Sequence, residues 1–347
     1  MATEKTFTGP PVRPKDRFLV FGSPAIEEAE VDEVVRCMRS GWLGTGPKVA
    51  RFEEDFRAYR RAQQAVAVNS CTAALHLSML AAGIQPGDEV ITTALTFCAT
   101  VNAIIHAGGT PVIADVDPRS MNLDPADAAR RVTERTRAIV PVHFAGRACD
   151  MDALGSLAEE HGLKVIEDCA HAHGASWNGA HPGTWGDAGV YSFYATKTVS
   201  TGEGGVLVSR DPALLEFARA FRNYGKPDYG VHGLNFRMSE FTAAIGLVQA
   251  ERLEEIVAWK NRVAREELDA AHPARLQLPD GMVSGLYKYI VFDPIETSTG
   301  KVYEEPCHRI LGHATDLPNT DWVAEHHWCV PLYYRPASDA EPATATE

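Results

Sequence analysis

Lys197 stands in SFYATKTVSTGEGG (192–205), a stretch dense in serine, threonine and glycine just past an apolar run, and it is the only lysine between Lys164 and Lys226. A lysine in such a loop is by default a solvated surface charge, and its company changes that reading. The apolar run LKVIED (163–168) ends at Asp168 and is followed by CAHAHGA. A carboxylate at the C-terminal end of a buried strand can be desolvated and held for a cationic partner, or it can serve as a helix cap or one half of a structural ion pair. The third group is VNSCTAAL (68–75), where a strand pattern gives way to small polar residues and a helix begins near Thr72. Free backbone N–H groups at such a helix start bind phosphate, although Ser70 can also act simply as an N-cap. A lysine able to form a Schiff base, an aspartate for a pyridinium nitrogen and a phosphate-binding helix start are together what pyridoxal 5′-phosphate (PLP) requires.

The elements that must position these groups follow from hydrophobic periodicity. Strand patterns end at Val68 (QAVAV) and cover 88–93, 110–117, 138–142, 163–168, 189–193 and 204–209. Amphipathic stretches such as 72–83 and 151–162 lie between them, and each of these two ends at a glycine, as helices tend to. Short β-branched strands alternating with helices predict an α/β fold with a mostly parallel sheet covered on both faces. A long helical pattern over 239–271 leads into a shorter C-terminal region. The expected organisation is a polar lead-in over 1–17, a large α/β domain over 18–250, a smaller α+β domain over 251–340 and a tail over 341–347.

With 33 lysines and arginines against 46 acidic residues, the formal charge is −13, which disfavours a nucleic-acid or anionic-membrane surface. The seven cysteines are scattered, with no C-x-x-C pair, so reduced thiols in a cytoplasmic protein are expected. The N-terminus lacks the apolar core of a signal peptide, and no apolar run reaches the roughly 20 residues of a membrane span. There is no Walker A motif, and GEGG (202–205) precedes a strand where a dinucleotide fingerprint should follow one. His326 and His327 are adjacent and lack ligand-spaced partners, so no metal site is expected, and Asp115 and Asp117 read as turn carboxylates before Pro118.

The blocks GSPAIEEAEVDEVVRCMRSGWLGTGPKVARFE (22–53), NSCTAALH, GDEVITTALTFCATVNAI, VPVHFAGRACDMDAL, VIEDCAHAHGA, YSFYATKTVSTGEGGVLVS and GLNFRMSEFTAAIGLVQAERLEEI occur in a recognisable order and spacing. In them the chain resembles the DegT/StrS-type nucleotide-sugar aminotransferases, PLP-dependent enzymes of fold type I. The resemblance implies that Lys197 carries PLP as an internal aldimine and that Asp168 pairs with the pyridine nitrogen. It places His171, where many relatives have glutamine, near the ring hydroxyl, and it brings Thr72, the backbone at Cys71 and Ser192 to the phosphate. Phe97 would stack on the ring. Asn235 would reach the phosphate of the neighbouring subunit, so a homodimer is expected. Lysine at 197, where related sugar 3-dehydratases carry histidine, favours transamination in two half-reactions, with L-glutamate as the implied donor. Such a lysine must reach its neutral form well below the ordinary pKa of about 10.4.

The stretch 302–336 resembles enzymes that build deoxyaminosugars for natural products, so the expected substrate is dTDP-4-keto-6-deoxyglucose, aminated at C4. His308, His313, His327, Tyr333 and Tyr334 are candidate substrate contacts, and Trp42 and Thr45 in GWLGTGP (41–47) candidate neighbours of the sugar. Tyr333, Tyr334 and Trp42 serve equally well as packing residues. Amination at C3 of a 3-keto sugar nucleotide and amination of a ketocyclitol share every cofactor residue named. A PLP-binding regulator without turnover and a phosphate-binding structural protein without PLP are the non-enzymatic alternatives.

Overall fold

The computed structural model describes residues 22, 24–60, 64–313 and 315–334. All seven strand patterns are strands: β1 (Gln64–Val68), β2 (Glu89–Thr93), β3 (Thr110–Ala114), β4 (Thr136–Val140), β5 (Lys164–Asp168) and, beyond a two-residue strand β6 (Ser176–Trp177), β7 (Ala188–Ser192) and β8 (Gly205–Ser209). Leaving β6 aside, they form one sheet in the order β1-β8-β7-β5-β4-β2-β3. The run from β7 to β3 is parallel, while β8 is antiparallel to both β7 and β1. Three shorter strands follow: β9 (Met282–Val283), which pairs with β6, and β10 (Tyr289–Val291) with β11 (Trp328–Val330). The helices are α1 (Glu28–Ser40), α2 (Pro47–Arg60), α3 (Cys71–Ala81), α4 (Cys98–His106), α5 (Pro125–Arg130), α6 (Met151–His161), α7 (Pro212–Phe221), α8 (Glu240–Glu251), α9 (Leu253–Val263), α10 (Cys307–Ile310) and α11 (Pro318–His326). None of the described helices is long and apolar enough to cross a membrane.

The two-residue period of the strands explains why both faces are covered. Val66, Val68, Leu207 and Val190 pack against Leu75 and Leu77 of α3 and Leu214 of α7, while Ala65, Ala67, Val206, Val208 and Tyr191 pack against Phe52 and Phe56 of α2, Leu247 of α8 and Val257 of α9. The lead-in at 1–17 and the tail at 341–347 lie outside the described residues.

The helical pattern over 239–271 is not one helix. It breaks at Arg252, whose guanidinium donates to the Ala25 carbonyl at 2.8 Å and pairs with Glu27 and Glu30, and it ends in a π-helical turn over Ala264–Leu268. These partners lie more than 200 positions away in sequence, so periodicity carries no trace of the bend.

Strand β1 is an edge strand, and its open edge is closed by side chains. Glu53 of α2 accepts from the Ala67 N–H at 2.8 Å, Arg219 of α7 donates to the Ala65 carbonyl at 2.7 Å, and Arg222 donates to the Ala67 carbonyl. Glu53 also pairs with Arg219 at 2.8 Å and with Arg222 at 2.5 Å. This clamp holds the strand that delivers the Asn69–Ser70 loop. Replacing Glu53 by alanine leaves the largely covered Arg222 without its counter-charge, and urea unfolding should show a loss of about 2–4 kcal/mol. A loss below 1 kcal/mol would show that the clamp is not needed.

Candidate active site

The register brings one end of β1, β8 and β7 together, because Val68 pairs with Gly205 and Gly205 with Ser192. Beside them β5 ends at Asp168, which is aligned with Val190 of β7. The carboxyl ends of the parallel strands thus converge on one edge, where ligands bind in open α/β sheets.

At that edge α3 starts at Cys71. Ser70 is its N-cap, accepting from the Ala73 N–H at 3.2 Å, so the capping role is real. It leaves the first-turn N–H groups of Cys71 and Thr72 without a partner in the helix ladder. Position 205 must be glycine for this approach, since a Cβ there would stand 2.4 Å from the Ser70 carbonyl carbon and 2.6 Å from the Cys71 nitrogen. Thr72 is exposed, and Ser192 is buried with its hydroxyl accepting from the Tyr194 N–H at 3.3 Å.

Asp168 is buried, accepting from the Thr100 hydroxyl at 2.8 Å and from the Ala170 N–H at 3.0 Å. No cationic side chain among the described residues forms an ion pair with it, and burial raises its pKa above the ordinary carboxylate value. Behind it, Glu167 accepts from the N–H groups of Gly183, Trp185 and Gly186 at 2.7–2.9 Å and lies 2.9 Å from His143 Nε2. His143 Nδ1 accepts from the Cys149 N–H at 3.0 Å, so the ring proton sits on Nε2 and is donated to Glu167. His143, Glu167 and Cys169 come within ligand distance of one another, and the hydrogen bonds of the imidazole and carboxylate make the cluster a support for β5.

Lys197 sits in the loop after β7, its N–H donating to the Tyr194 carbonyl at 2.9 Å. It lies deep in the molecule beneath a hollow that leaves the side chain partly accessible, and Nζ is 4.6 Å from the ring centre of Tyr287. No described carboxylate is within ion-pair distance. Burial, with Lys288 adding to it, pulls the pKa down to about 8 against the opposing pull of Cys71 and Asp168. The lowered pKa that the chemistry demands is therefore present in the protein alone.

His171 is buried and stacked on Tyr287, with ring centres 4.1 Å apart, and a hydrogen bond of 3.2 Å joins its Nε2 to the Tyr303 hydroxyl. Its Nδ1 has no hydrogen-bond partner. Burial first, then Lys197 and Lys288, hold its pKa well below 6.5, so this histidine is neutral at physiological pH and does not bring the ionisable group that its residue type suggests. Phe97 caps α4 and is 61% exposed, an aromatic face open beside the site. Asn235 is also exposed. Its carbonyl accepts from the Asn69 side chain at 3.4 Å, so it borders the loop that leads into α3 of its own chain.

One candidate substrate contact is corrected. His327 is fully buried, with Nε2 accepting from the Val302 N–H at 3.0 Å and Nδ1 2.6 Å from the Val323 carbonyl, and burial lowers its pKa to about 4. His308 is buried with Nε2 3.3 Å from Asp321. His327 is consumed by packing, whereas Nδ1 of His308 has no hydrogen-bond partner. His313 remains half-buried, and Tyr334 packs edge-on against Trp259 and bonds Glu255. Trp42 donates to the Thr45 carbonyl at 3.2 Å, and the Thr45 hydroxyl donates to the Met238 carbonyl at 2.7 Å. Asp115 is more than a turn carboxylate: it accepts from the N–H groups of Asn319 and Thr320 and so anchors the start of α11. Sequence reasoning missed Tyr287 and Tyr303, because no spacing ties them to position 171.

A buried acid without a counter-charge, a deprotonatable amine, free first-turn N–H groups and an orphan imidazole nitrogen are complementary to a pyridinium N–H, an aldehyde, a phosphate and a ring hydroxyl. The residues present therefore fit PLP. In the cofactor-free protein, acylation of Lys197 should follow an apparent pKa near 8, in contrast to the exposed lysines near about 10.4. Competitive labelling read by peptide mass spectrometry checks this, and a Lys197 profile matching the exposed lysines would contradict the burial argument.

The family described as the DegT/DnrJ/EryC1/StrS aminotransferase family matches the chain over residues 24–277. GDP-perosamine synthase of Caulobacter vibrioides is 41% identical over 247 residues, covering 70% of this chain and 67% of that protein. Among solved structures, the aminotransferase TlmJ from Streptoalloteichus hindustanus superposes with a TM-score of 0.84 at 33% identity, covering 91% of this chain and 93% of the other. DesI, solved in the presence of its TDP-sugar product, gives a TM-score of 0.82 at 34% identity over 91% and 88% of the two chains.

Proposed function

Because the chain belongs to the DegT/DnrJ/EryC1/StrS aminotransferase family and is an enzyme of the aminotransferase type, we propose that it transfers an amino group to a nucleotide-linked keto-deoxysugar using PLP bonded through the Lys197 amine. The observation that carries this reading is the placement of Lys197, whose amine has no ion-pair partner among the described residues and has its pKa lowered to about 8, at the same sheet edge as buried Asp168. When bound, PLP supplies an electron sink that makes the Cα proton of an amino donor acidic.

The protein's own groups do the rest. Asp168, held by Thr100 and Ala170, presents its carboxylate to the pyridine nitrogen, and a protonated nitrogen would supply the charge that this buried carboxylate lacks. The N–H groups of Cys71 and Thr72, with Ser192, receive the phosphate at the positive end of α3. Phe97 covers a ring face, and neutral His171 offers Nδ1 toward the ring hydroxyl. Lys197 Nζ, once released by the donor, takes the proton from one carbon and returns it to another, which its neutral form near pH 8 permits.

Asn235 completes the phosphate site of a second copy in this proposal. Its surroundings support an interface: Leu234 and Tyr224, joined by a backbone bond of 3.2 Å, are each 48% exposed beside it. The division into a large unit over 18–250 and a smaller one over 251–340 belongs to the same reading, since the seven-stranded sheet ends at Ser209 and the β10–β11 pair lies beyond 251.

The proposed acceptor is dTDP-4-keto-6-deoxyglucose, aminated at C4 with L-glutamate as donor, in line with the TDP-sugar product of DesI. The similarity to a GDP-perosamine synthase favours a second reading, in which the sugar is carried by GDP. Incubation of PLP-loaded protein with glutamate and each keto-sugar nucleotide, followed by mass spectrometry and NMR, should give a 4-amino product with the dTDP sugar and none with Lys197→Ala. Product from the GDP sugar alone would transfer the assignment to GDP, and no product from either, with glutamate still converting the cofactor, would remove the C4 assignment.

A further inference from the structure

On the flank of Lys197 formed by α9 and the β10–β11 region lies a small polar cavity. Its walls include Lys197, Thr198, Lys260, Lys288, Thr299 and Tyr333, and none of the cofactor residues Asp168, His171, Cys71 and Ser192. About 30 Å³ is open within it, room for one small ion or a single carboxylate group and too little for a sugar.

Three lysines line this space, and no aspartate or glutamate among the described residues does. Lys260, carried into the interior by α9, is buried and donates to the Leu286 carbonyl at 3.1 Å. An ammonium has three N–H donors, so that bond leaves capacity for another acceptor. Thr198 gives an independent sign. The residue is only 9% exposed, and its hydroxyl has no hydrogen-bond partner, although it lines the same cavity. Buried hydroxyls are nearly always bonded, so this orphan, on a wall shared with three lysines, leaves a donor for a hydrogen-bonding group in the cavity. Burial weighs on the neighbouring amines as well: Lys260 is driven down to about 7 and Lys288 to about 8, chiefly by desolvation. An anion would reverse the cost of keeping them charged.

We propose that the cavity bounded by Lys260, Thr198 and Lys197 is a binding site for one small anionic group, a halide ion or a carboxylate, held by the Lys260 ammonium and the Thr198 hydroxyl. The group has two sources, a free ion or the carboxylate of the amino donor, because Lys197 forms a wall of both this cavity and the candidate active site. Binding here does not depend on the transamination reading.

Crystals of the holoenzyme soaked in sodium bromide test the site directly. An anomalous peak within about 3.5 Å of Lys260 Nζ is expected in the wild type and should vanish in Lys260→Met, an apolar substitution of similar length. Should that variant fail to fold, Thr198→Val provides the same comparison, with a fall in bromide occupancy expected. A wild type with no peak, the cavity holding only water, or a peak that persists in the folded variant overturns the proposal. Kinetics of the glutamate half-reaction separate the sources. If the KM for glutamate rises about tenfold with bromide in the wild type and not in Lys260→Met, the donor carboxylate occupies the cavity. An unchanged KM alongside the bromide peak makes it a free-ion site. In an enzyme that does not react with glutamate, the bromide peak still decides whether the cavity holds an anion, so failure of one proposal is not failure of the other.

Discussion

Asp168 ends β5 with its carboxylate out of water and bonded to two neutral donors, and across the same sheet edge Lys197 holds an amine with no carboxylate partner among the described residues. Keeping either group charged there costs free energy, so burial raises the pKa of one and lowers that of the other. Had the two been paired, each would satisfy the other and neither would be available to a ligand. Their separation is what the surrounding structure maintains. It explains why the edge accepts a group that brings both a protonated nitrogen and an electrophilic carbon.

The scaffold maintains that separation with devices that carry no chemistry themselves. Glu167, with its oxygens occupied by backbone N–H groups and His143, fixes the strand behind Asp168. The Glu53–Arg219–Arg222 clamp closes the open edge of β1 and holds the loop into α3, while Gly205 lets that loop approach β8. Tyr287 stacks on His171 and lies under Lys197, so one ring supports the neutral imidazole and contributes to the drying of the amine. Protein interiors that exclude water in this way shift pKa values at the positions where proton transfer is needed.

The histidines show how one residue type acquires different roles from its surroundings. His143 is a donor locked by Cys149 and Glu167, His327 has both nitrogens engaged in the core, and His171 keeps one nitrogen unpartnered at the candidate site. Only the last is disposed to meet a ligand. The lysines divide in the same way. Lys164 pairs with Asp187 near the surface and its pKa is raised, whereas Lys197, Lys260 and Lys288 are desolvated around one cavity and theirs are lowered.

Strand period, helix caps and residue chemistry are local properties, so the seven strands, the α/β class and the roles open to Lys197, Asp168 and the Ser70–Thr72 turn were legible in residue order alone. So was the family resemblance, carried in blocks that remain contiguous along the chain. Whatever depends on distant partners emerged only on folding. Arg252 breaks the long helical pattern by reaching the start of α1, and Val302 with Val323 takes His327 out of contention as a substrate contact. Tyr287 and Tyr303 joined the site only when the chain folded back more than 100 residues onto His171, and Lys260 became a buried cation only when α9 packed against the segment at Leu286. Desolvation and electrostatic coupling depend on the whole surrounding volume, which residue order does not contain.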